Sequence, residues 1–245
     1  MNRILDKINQ SYINKQKRFA VLIDPDKTNH TALERIIKLA VESNVDFFFV
    51  GGSLLTENKL DLCIRTIKQK SEIPVILFPG NNLQISKEAD AILLLSLISG
   101  RNADLLIGNH VISAPYIKES KLEVIPTGYM LIDGGKPTTV SYISNTFPIP
   151  YDKEDIAACT AMAGEMLGLK TIYMDAGSGA IRPVSANMTK KIRNSVDLPI
   201  IVGGGIKTPE AAREIWDAGA DIVVVGNAIE KSSELIKEIG KIKKI

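Results

Sequence analysis

The chain has 245 residues, 45% of them hydrophobic, and a formal net charge of +2. That length suits one (β/α)8 barrel domain spanning residues 1–245, since such barrels take about 250 residues. The near balance of charge offers no basic footprint, which argues against nucleic acid as a partner.

In chain order, a short opening helix is predicted over Asn2–Lys15 and a first strand over Phe19–Asp24. A helix at Thr31–Ser43, a strand at Val45–Val50, a helix at Glu57–Lys70 and a strand at Val75–Phe78 follow. Next come a strand at Ala91–Leu95, a helix at Ala103–Glu119, a long strand at Leu122–Ile132 and a helix at Lys153–Leu167. The last third reads as strand Thr171–Met174, helix Ala186–Ser195, strand Ile200–Val202, helix Pro209–Ala218, strand Ile222–Val225 and helix Ser232–Lys243. Apolar strands alternating with helices predict a parallel sheet covered on both faces. Thr208 as N-cap, Pro209 in the first turn and Gly219 past the end mark one helix sharply.

Two intervals break the alternation. Only Pro79–Asp90 separates the third and fourth strands, too little for a barrel helix with its two loops, so the third helix is expected to be missing or reduced. Gly134–Asp152 is a long loop of the kind that forms lids, and its Tyr142, Phe147, Pro148 and Pro150 predict that it is folded. Cys63 and Cys159 lie in predicted helices without ligand-type spacing and read as reduced core or near-core thiols. The opening residues show no apolar signal segment. The longest apolar run, Ala91–Ile98, is far shorter than the roughly 20 residues of a membrane span. A cytoplasmic protein is the expectation. Lys237–Lys244 reads as a solvated helix end or as a point of peripheral contact with an acidic membrane surface.

Three glycine segments follow strands: Tyr173–Gly179, Gly203–Gly205 and Gly226–Asn227. Glycine lets backbone N–H groups approach an anion, and a following helix N-terminus adds a favourable dipole. In (β/α)8 barrels a phosphate is held in this way after strands seven and eight. Asp24, at the top of the first strand, suits Mg²⁺, although Asp24-Pro-Asp26 also reads as a turn with an Asp capping the next helix. Ser53 adds a hydroxyl on the neighbouring strand. Asp175 lies inside a phosphate-binding segment, where its charge repels phosphate. It is better explained as a general base, with a loop cap as the other reading.

Arg101 and Lys136 suit a pyrophosphate or are solvated loop charges. His30, His110 and Trp216 are expected outside the chemistry. Leu105, Gly108, Ile112 and Tyr116 fall on one predicted helical face, which is either core or the wall of a groove. From the glycine loops alone, a sugar-phosphate isomerase or lyase, an FMN-dependent enzyme and a non-catalytic lipid-precursor binder stay open.

Asp24-Pro-Asp-Lys27, Gly51-Gly-Ser53, Ser99-Gly-Arg-Asn102, Tyr173–Gly179, Gly203-Gly-Gly-Ile-Lys207 and Val225-Gly-Asn227 occur in one order. In this the chain resembles geranylgeranylglyceryl phosphate synthases, a group that includes the bacterial heptaprenylglyceryl phosphate synthases. The resemblance spans essentially the whole chain. It implies a modified barrel lacking the third helix, and Mg²⁺-dependent transfer of a prenyl group from a prenyl diphosphate to the 3-hydroxyl of sn-glycerol 1-phosphate. It implies Mg²⁺ near Asp24 and Ser53. It implies glycerol phosphate held by Tyr173, Met174, Asp175, Ala176, Gly177, Ser178 and Gly179, by Gly204 and Gly205, and by Gly226 and Asn227. A homo-oligomer, dimer or hexamer, is the expected assembly. Many members carry Glu where this chain has Asp175. Some bacterial members carry Lys where this chain has Leu22, which points away from the heptaprenyl subgroup and towards the archaeal-like one.

Overall fold

The computed structural model describes residues 3–243; Asn2 and Lys244, which end two of the predicted segments, lie outside them. Eight strands are β1 Arg18–Ile23, β2 Phe47–Val50, β3 Val75–Leu77, β4 Ala91–Leu97, β5 Glu123–Leu131, β6 Thr171–Asp175, β7 Ile200–Gly203 and β8 Ile222–Val225. All neighbours are parallel, and β1 pairs with β8 to close the barrel.

Strand side chains alternate between two cores, as a pleat requires. Ala20, Phe47, Phe49, Ile76, Leu93, Tyr129, Tyr173, Ile201 and Val224 fill the barrel. Phe19, Val21, Phe48, Val50, Met174 and Val202 face the helices. The helix α1, Ile4–Ile13, plugs the N-terminal mouth with Ile4 and Ile8, and its first backbone N–H groups donate to the Glu123 carboxylate at 2.7 and 2.9 Å. At the same end Asp46 binds Arg18 at 2.6 Å and Lys243 at 2.7 Å. Lys243 is thereby committed to the fold and is not a free basic group for a surface. Charge pairs at this face serve stability, because the opposite face carries barrel chemistry.

The helices that follow the strands are α2 His30–Glu42, α3 Leu60–Lys70, α4 Asn109–Ser120, α6 Glu154–Met166, α7 Ala186–Arg193, α8 Pro209–Asp217, α9 Asn227–Lys231 and α10 Leu235–Ile242. A further short helix, α5 Thr139–Ser144, lies inside the expected lid. Thr208 caps α8 by accepting from Ala211 N–H at 3.2 Å, Pro209 occupies its first turn, and Gly219 follows it at φ +119°. Trp216 is buried and donates to the Arg18 carbonyl at 3.1 Å. The helix expected over Ser232–Lys243 is α10, and a short helix that was not expected, α9, precedes it directly after Gly226.

No helix occupies residues 78–90. A buried Gln84 takes over part of its work: its amide oxygen accepts from Gly52 and Gly80 N–H at 3.3 and 3.1 Å, and its amide nitrogen donates to the Gly52 carbonyl at 2.8 Å. The stretch is thus fastened to the top of β2 without a helix; β3 stays buried, and β4 is left partly uncovered at Leu94–Ser96.

Two sequence expectations change. Residues 104–108 form a π-helical turn leading into α4. The extra residue of that turn rotates α4 about its axis, so Ile112 and Tyr116 stand exposed while Leu105, Asn109, Ser113 and Ile117 face the cavity. Cys159 is exposed, whereas Cys63 is buried and its thiol is pushed up to about 12 by burial, with Asp24 adding to the rise.

Candidate active site

A cavity of about 390 Å³ opens at the C-terminal ends of the strands and collects the polar groups singled out above. Asp24 and Ser53 line one side of it, and Ser178, Gly179, Gly204, Gly205, Gly226 and Asn227 line the other. Its floor is aromatic: Phe78 stacks on Tyr173 at 5.0 Å between centroids, and Tyr129 packs against Tyr173 at 5.6 Å.

Asp175 and Tyr173 both point inward from β6, two residues apart, and Met174 between them points out into the helix layer. Ala176 is likewise buried in the outer core. Any ligand contact from Met174 or Ala176 therefore runs through backbone. Gly177 sits at φ +87° and spends its N–H on Asp175 Oδ1 at 2.7 Å. Ser178 donates to Asn227 Oδ1 at 2.8 Å, joining the β6 loop to the start of α9. Leu22 points into the cavity against Gly226.

The glycines have different reasons to be glycine. Gly204 sits at φ +79°, and a Cβ there would strike the Asp175 carboxylate and the backbone nitrogens of Gly177 and Ala176, at 2.6 and 2.7 Å for the latter two. Its small size serves the approach of β7 to Asp175. Gly179 is at φ +76°, and its Cβ position meets only Lys136 Nζ, 3.9 Å away. Gly226 has an ordinary φ, but a Cβ there would crowd Leu22, whose Cβ lies 3.3 Å and whose carbonyl oxygen lies 3.4 Å away. Open space beside backbone N–H groups, as at Gly179, is what an anion needs.

Asp175 is buried. Burial pushes its carboxyl above the ordinary carboxylate range, and hydrogen bonds from Tyr129 and Gly177 partly oppose that rise. Tyr129 donates its hydroxyl to Asp175 Oδ2 at 2.7 Å. Its own phenol is held well above its usual value, first by burial and then by the charge of Asp175. A carboxylate aimed by two donors, more basic than usual and lining a cavity, is equipped as a general base.

Asp24 does not cap α2. Asn29 does, accepting from Ala32 N–H at 2.9 Å. Asp24 instead accepts from Asp26 N–H at 3.1 Å and from the Lys27 ammonium at 2.5 Å. Asp26 fixes the Ser53 loop, accepting from Thr56 N–H at 2.5 Å and Glu57 N–H at 3.3 Å. Among the described residues no three His, Cys, Asp or Glu side chains gather to hold a metal. Mg²⁺ is ordinarily held by one or two carboxylates together with substrate phosphates, so Asp24 with the Ser53 hydroxyl fits an ion that shares a diphosphate.

The lid is folded as predicted, by other residues. Thr138 and Ser141 form a capping box at the start of α5, Asn102 donates to the Ser144 carbonyl at 2.9 Å, and Ile149 bridges to Ile132. Val140 and Ile143 look into the cavity, while Tyr142 and Phe147 are 85% and 94% exposed. Beneath the lid an apolar arm of the cavity runs between β4 and α4, past Leu94, Leu105, Ser113, Ile117 and Ile85. This is the side left open by the absent helix. Lys136 lies beside Gly179, Arg101 donates to its neighbour's carbonyl, and His110 bonds the Leu95 carbonyl at 2.9 Å. His30 is exposed at the start of α2. Tyr129, Gln84 and Glu230, all at the cavity or supporting it, carry no local sequence signal. Tyr129 meets Tyr173 only through the β5–β6 register.

Residues 12–243 match the PcrB family. The geranylgeranylglyceryl phosphate synthase of Chitinophaga pinensis is 57% identical over 238 residues, 96% of this chain and 94% of that protein. The synthase of the same name from Thermococcus gammatolerans is 41% identical over 234 residues, 95% and 92% of the two chains. The crystal structure of (S)-3-O-geranylgeranylglyceryl phosphate synthase from Thermoplasma acidophilum with its substrate sn-glycerol-1-phosphate superposes with a TM-score of 0.94, at 35% identity, over 100% of both chains. An N-acetylmannosamine-6-phosphate 2-epimerase from Clostridium perfringens, 14% identical at a TM-score of 0.58, shares the barrel fold. The chain belongs to the PcrB family.

Proposed function

We propose that this chain is a geranylgeranylglyceryl phosphate synthase, joining geranylgeranyl diphosphate to the 3-hydroxyl of sn-glycerol 1-phosphate and releasing diphosphate. The observation that carries the reading is one cavity holding three parts: a buried, aimed carboxylate at Asp175, a glycine-lined anion cradle beside it, and an apolar arm along α4. The identity to synthases of that name across nearly the full chain supports the same reading.

Glycerol phosphate is held by backbone at Gly179, Gly205 and Gly226, with Asn227 and Ser178 beside it. Its phosphate fixes its free hydroxyl near Asp175. Holding both reactants in reacting geometry lowers the barrier by about 7–11 kcal/mol. The allylic carbon–oxygen bond breaks, its electron pair leaves with the diphosphate, and the glycerol oxygen bonds to that carbon. Asp175 takes the hydroxyl proton, while Tyr129 and Gly177 N–H keep its carboxylate in place. Asp24 and Ser53 would hold Mg²⁺, which when bound would supply positive charge to the departing diphosphate. The arm between β4 and α4 holds the prenyl tail away from water.

Among the described residues no helix is long and apolar enough to cross a membrane. We place the enzyme in the cytoplasm, in peripheral contact with the membrane where its prenyl substrate and product partition. Exposed Ile107, Val111, Ile112 and Tyr116 on the outer face of α4 and the turn before it support a homo-oligomer. Incubation with both substrates and Mg²⁺ tests the reaction. Diphosphate is expected one for one with prenyl diphosphate consumed, and only when glycerol phosphate is present. Diphosphate release independent of glycerol phosphate would contradict transfer.

A further inference from the structure

Each oxygen of Asp24 already accepts a hydrogen bond. Oδ1 accepts from Asp26 N–H at 3.1 Å, and Oδ2 accepts from the Lys27 ammonium at 2.5 Å. The carboxylate is also packed from behind, since a Cβ on Gly52 would lie 3.1 Å from Oδ2. The Asp24 side chain is only 10% exposed, whereas that of Lys27 is 51% exposed. The partner free to move is therefore the lysine, on its flexible four-carbon stem. Glu230 lines the same cavity within electrostatic reach of both Asp24 and Lys27, so a displaced ammonium stays inside an acidic rim.

We propose that Lys27 is a built-in counterion: it occupies Asp24 until a diphosphate arrives with a divalent cation, and then transfers its charge to the diphosphate. This rests on the reading of Asp24 as a cation-holding residue. A cation arriving alone must compete with, and is repelled by, an ammonium at contact distance, and among the described residues no three His, Cys, Asp or Glu side chains gather to compensate. Its apparent affinity falls by the fraction of time that Asp24 is free. A diphosphate changes both terms at once. Its oxygens complete the coordination of the cation, and its charge gives Lys27 a new partner. The two ligands then bind cooperatively, and by linkage each raises the affinity of the other equally. Such a site discourages unproductive metal binding and admits the ion with its substrate.

The test is calorimetric titration of the full chain with Mg²⁺ alone, and with inorganic pyrophosphate in the presence and absence of Mg²⁺. Lys27→Met is expected to bind Mg²⁺ alone at least tenfold more tightly than the parent. The enhancement of pyrophosphate affinity by Mg²⁺ is expected to shrink at least tenfold. Lys207→Met, which removes another cavity ammonium that does not touch Asp24, serves as the control for a general field effect and is expected to change Mg²⁺ affinity far less. Unchanged or weaker Mg²⁺ binding in Lys27→Met overturns the proposal, as does equal tightening in Lys207→Met. Lys27→Gln, checked for folding by circular dichroism, repeats the measurement should the methionine variant misfold. Asp24→Asn separates the two levels. If it leaves Mg²⁺ affinity unchanged in the Lys27→Met background, the metal assignment itself fails. If it weakens binding while Lys27→Met has not strengthened it, only the counterion role fails.

Discussion

Replacing Tyr129 by Phe removes one oxygen atom and leaves the ring in its tilted contact with Tyr173 and its edge-on contact with Phe78. The lost group donates at 2.7 Å to Asp175 Oδ2 inside a buried site, and no water takes its place easily in an apolar, aromatic floor. A hydrogen bond to a charged group contributes about 1.5–3 kcal/mol. That energy favours the ionised carboxylate, so its loss raises the proton affinity of Asp175 further beyond the rise already caused by burial. At about 1.4 kcal/mol per pH unit, the acid limb of the kcat/KM profile for sn-glycerol 1-phosphate moves to higher pH by about 1–2 units. The assay is initial-rate diphosphate release across pH, with the parent enzyme as reference. Because the folded carboxylate becomes still harder to ionise than the unfolded one, more stability should be lost than in the parent as pH rises from the ordinary carboxylate range through the raised value, and the loss should extend to higher pH. An acid limb that stays in place while the plateau drops would show that the hydroxyl only packs, and would refute the reasoning.

Asp175→Asn keeps one acceptor, for Gly177 N–H, turns an amide NH2 towards the Tyr129 hydroxyl, which can accept from it, and removes the base. Single-turnover chemistry should slow by about 10²–10⁴-fold with glycerol phosphate affinity changed far less, and calorimetry beside rapid quench checks both. Its melting temperature should also lose the part of the parent's decline with rising pH that Asp175 contributes, while Asp221 and Glu230, also raised by burial, keep theirs. Gly226→Val adds a Cβ that presses on Leu22 and its carbonyl oxygen, 3.3 and 3.4 Å away, and carries two methyls beside the cradle, so KM for glycerol phosphate should rise by an order of magnitude or more in a variant shown by circular dichroism to be folded. An unchanged KM would move the anion elsewhere. Ser113→Trp fills the apolar arm between β4 and α4. Each CH₂ denied burial costs about 0.8 kcal/mol, so competition between farnesyl and geranylgeranyl diphosphate should shift at least tenfold towards the shorter chain. An unaltered ratio in a folded variant would place the tail along another wall.

Local signals carried the architecture. Hydrophobic period, strand-end glycines and the cap at Thr208 need only neighbouring residues, and the absent third helix comes from a simple shortage of chain between Val75–Leu77 and Ala91–Leu97. Features that depend on register were not legible. Tyr129 belongs to no motif in the sequence, yet the pairing of β5 with β6 sets it opposite Tyr173 and beneath Asp175. The π-turn at 104–108 is invisible to a period of 3.6, so the groove-facing set moved from Gly108, Ile112 and Tyr116 to Asn109, Ser113 and Ile117. Met174 and Ala176 fell inside a true motif, but strand alternation turns their side chains away from the cavity. Gly204 reads as a phosphate residue by motif, while its geometry answers to the Asp175 carboxylate.

The central claim is transfer of a prenyl group to the free hydroxyl of glycerol phosphate in the cavity built around Asp175. Mass spectrometry of the products from sn-glycerol 1-phosphate, Mg²⁺ and an equimolar mixture of farnesyl, geranylgeranyl and heptaprenyl diphosphates tests it directly. The account predicts one dominant ether, geranylgeranylglyceryl phosphate with the prenyl chain on the 3-oxygen, and its near absence with Asp175→Asn. Recovery of unmodified glycerol phosphate beside intact or merely hydrolysed prenyl diphosphates, from folded protein, would contradict it.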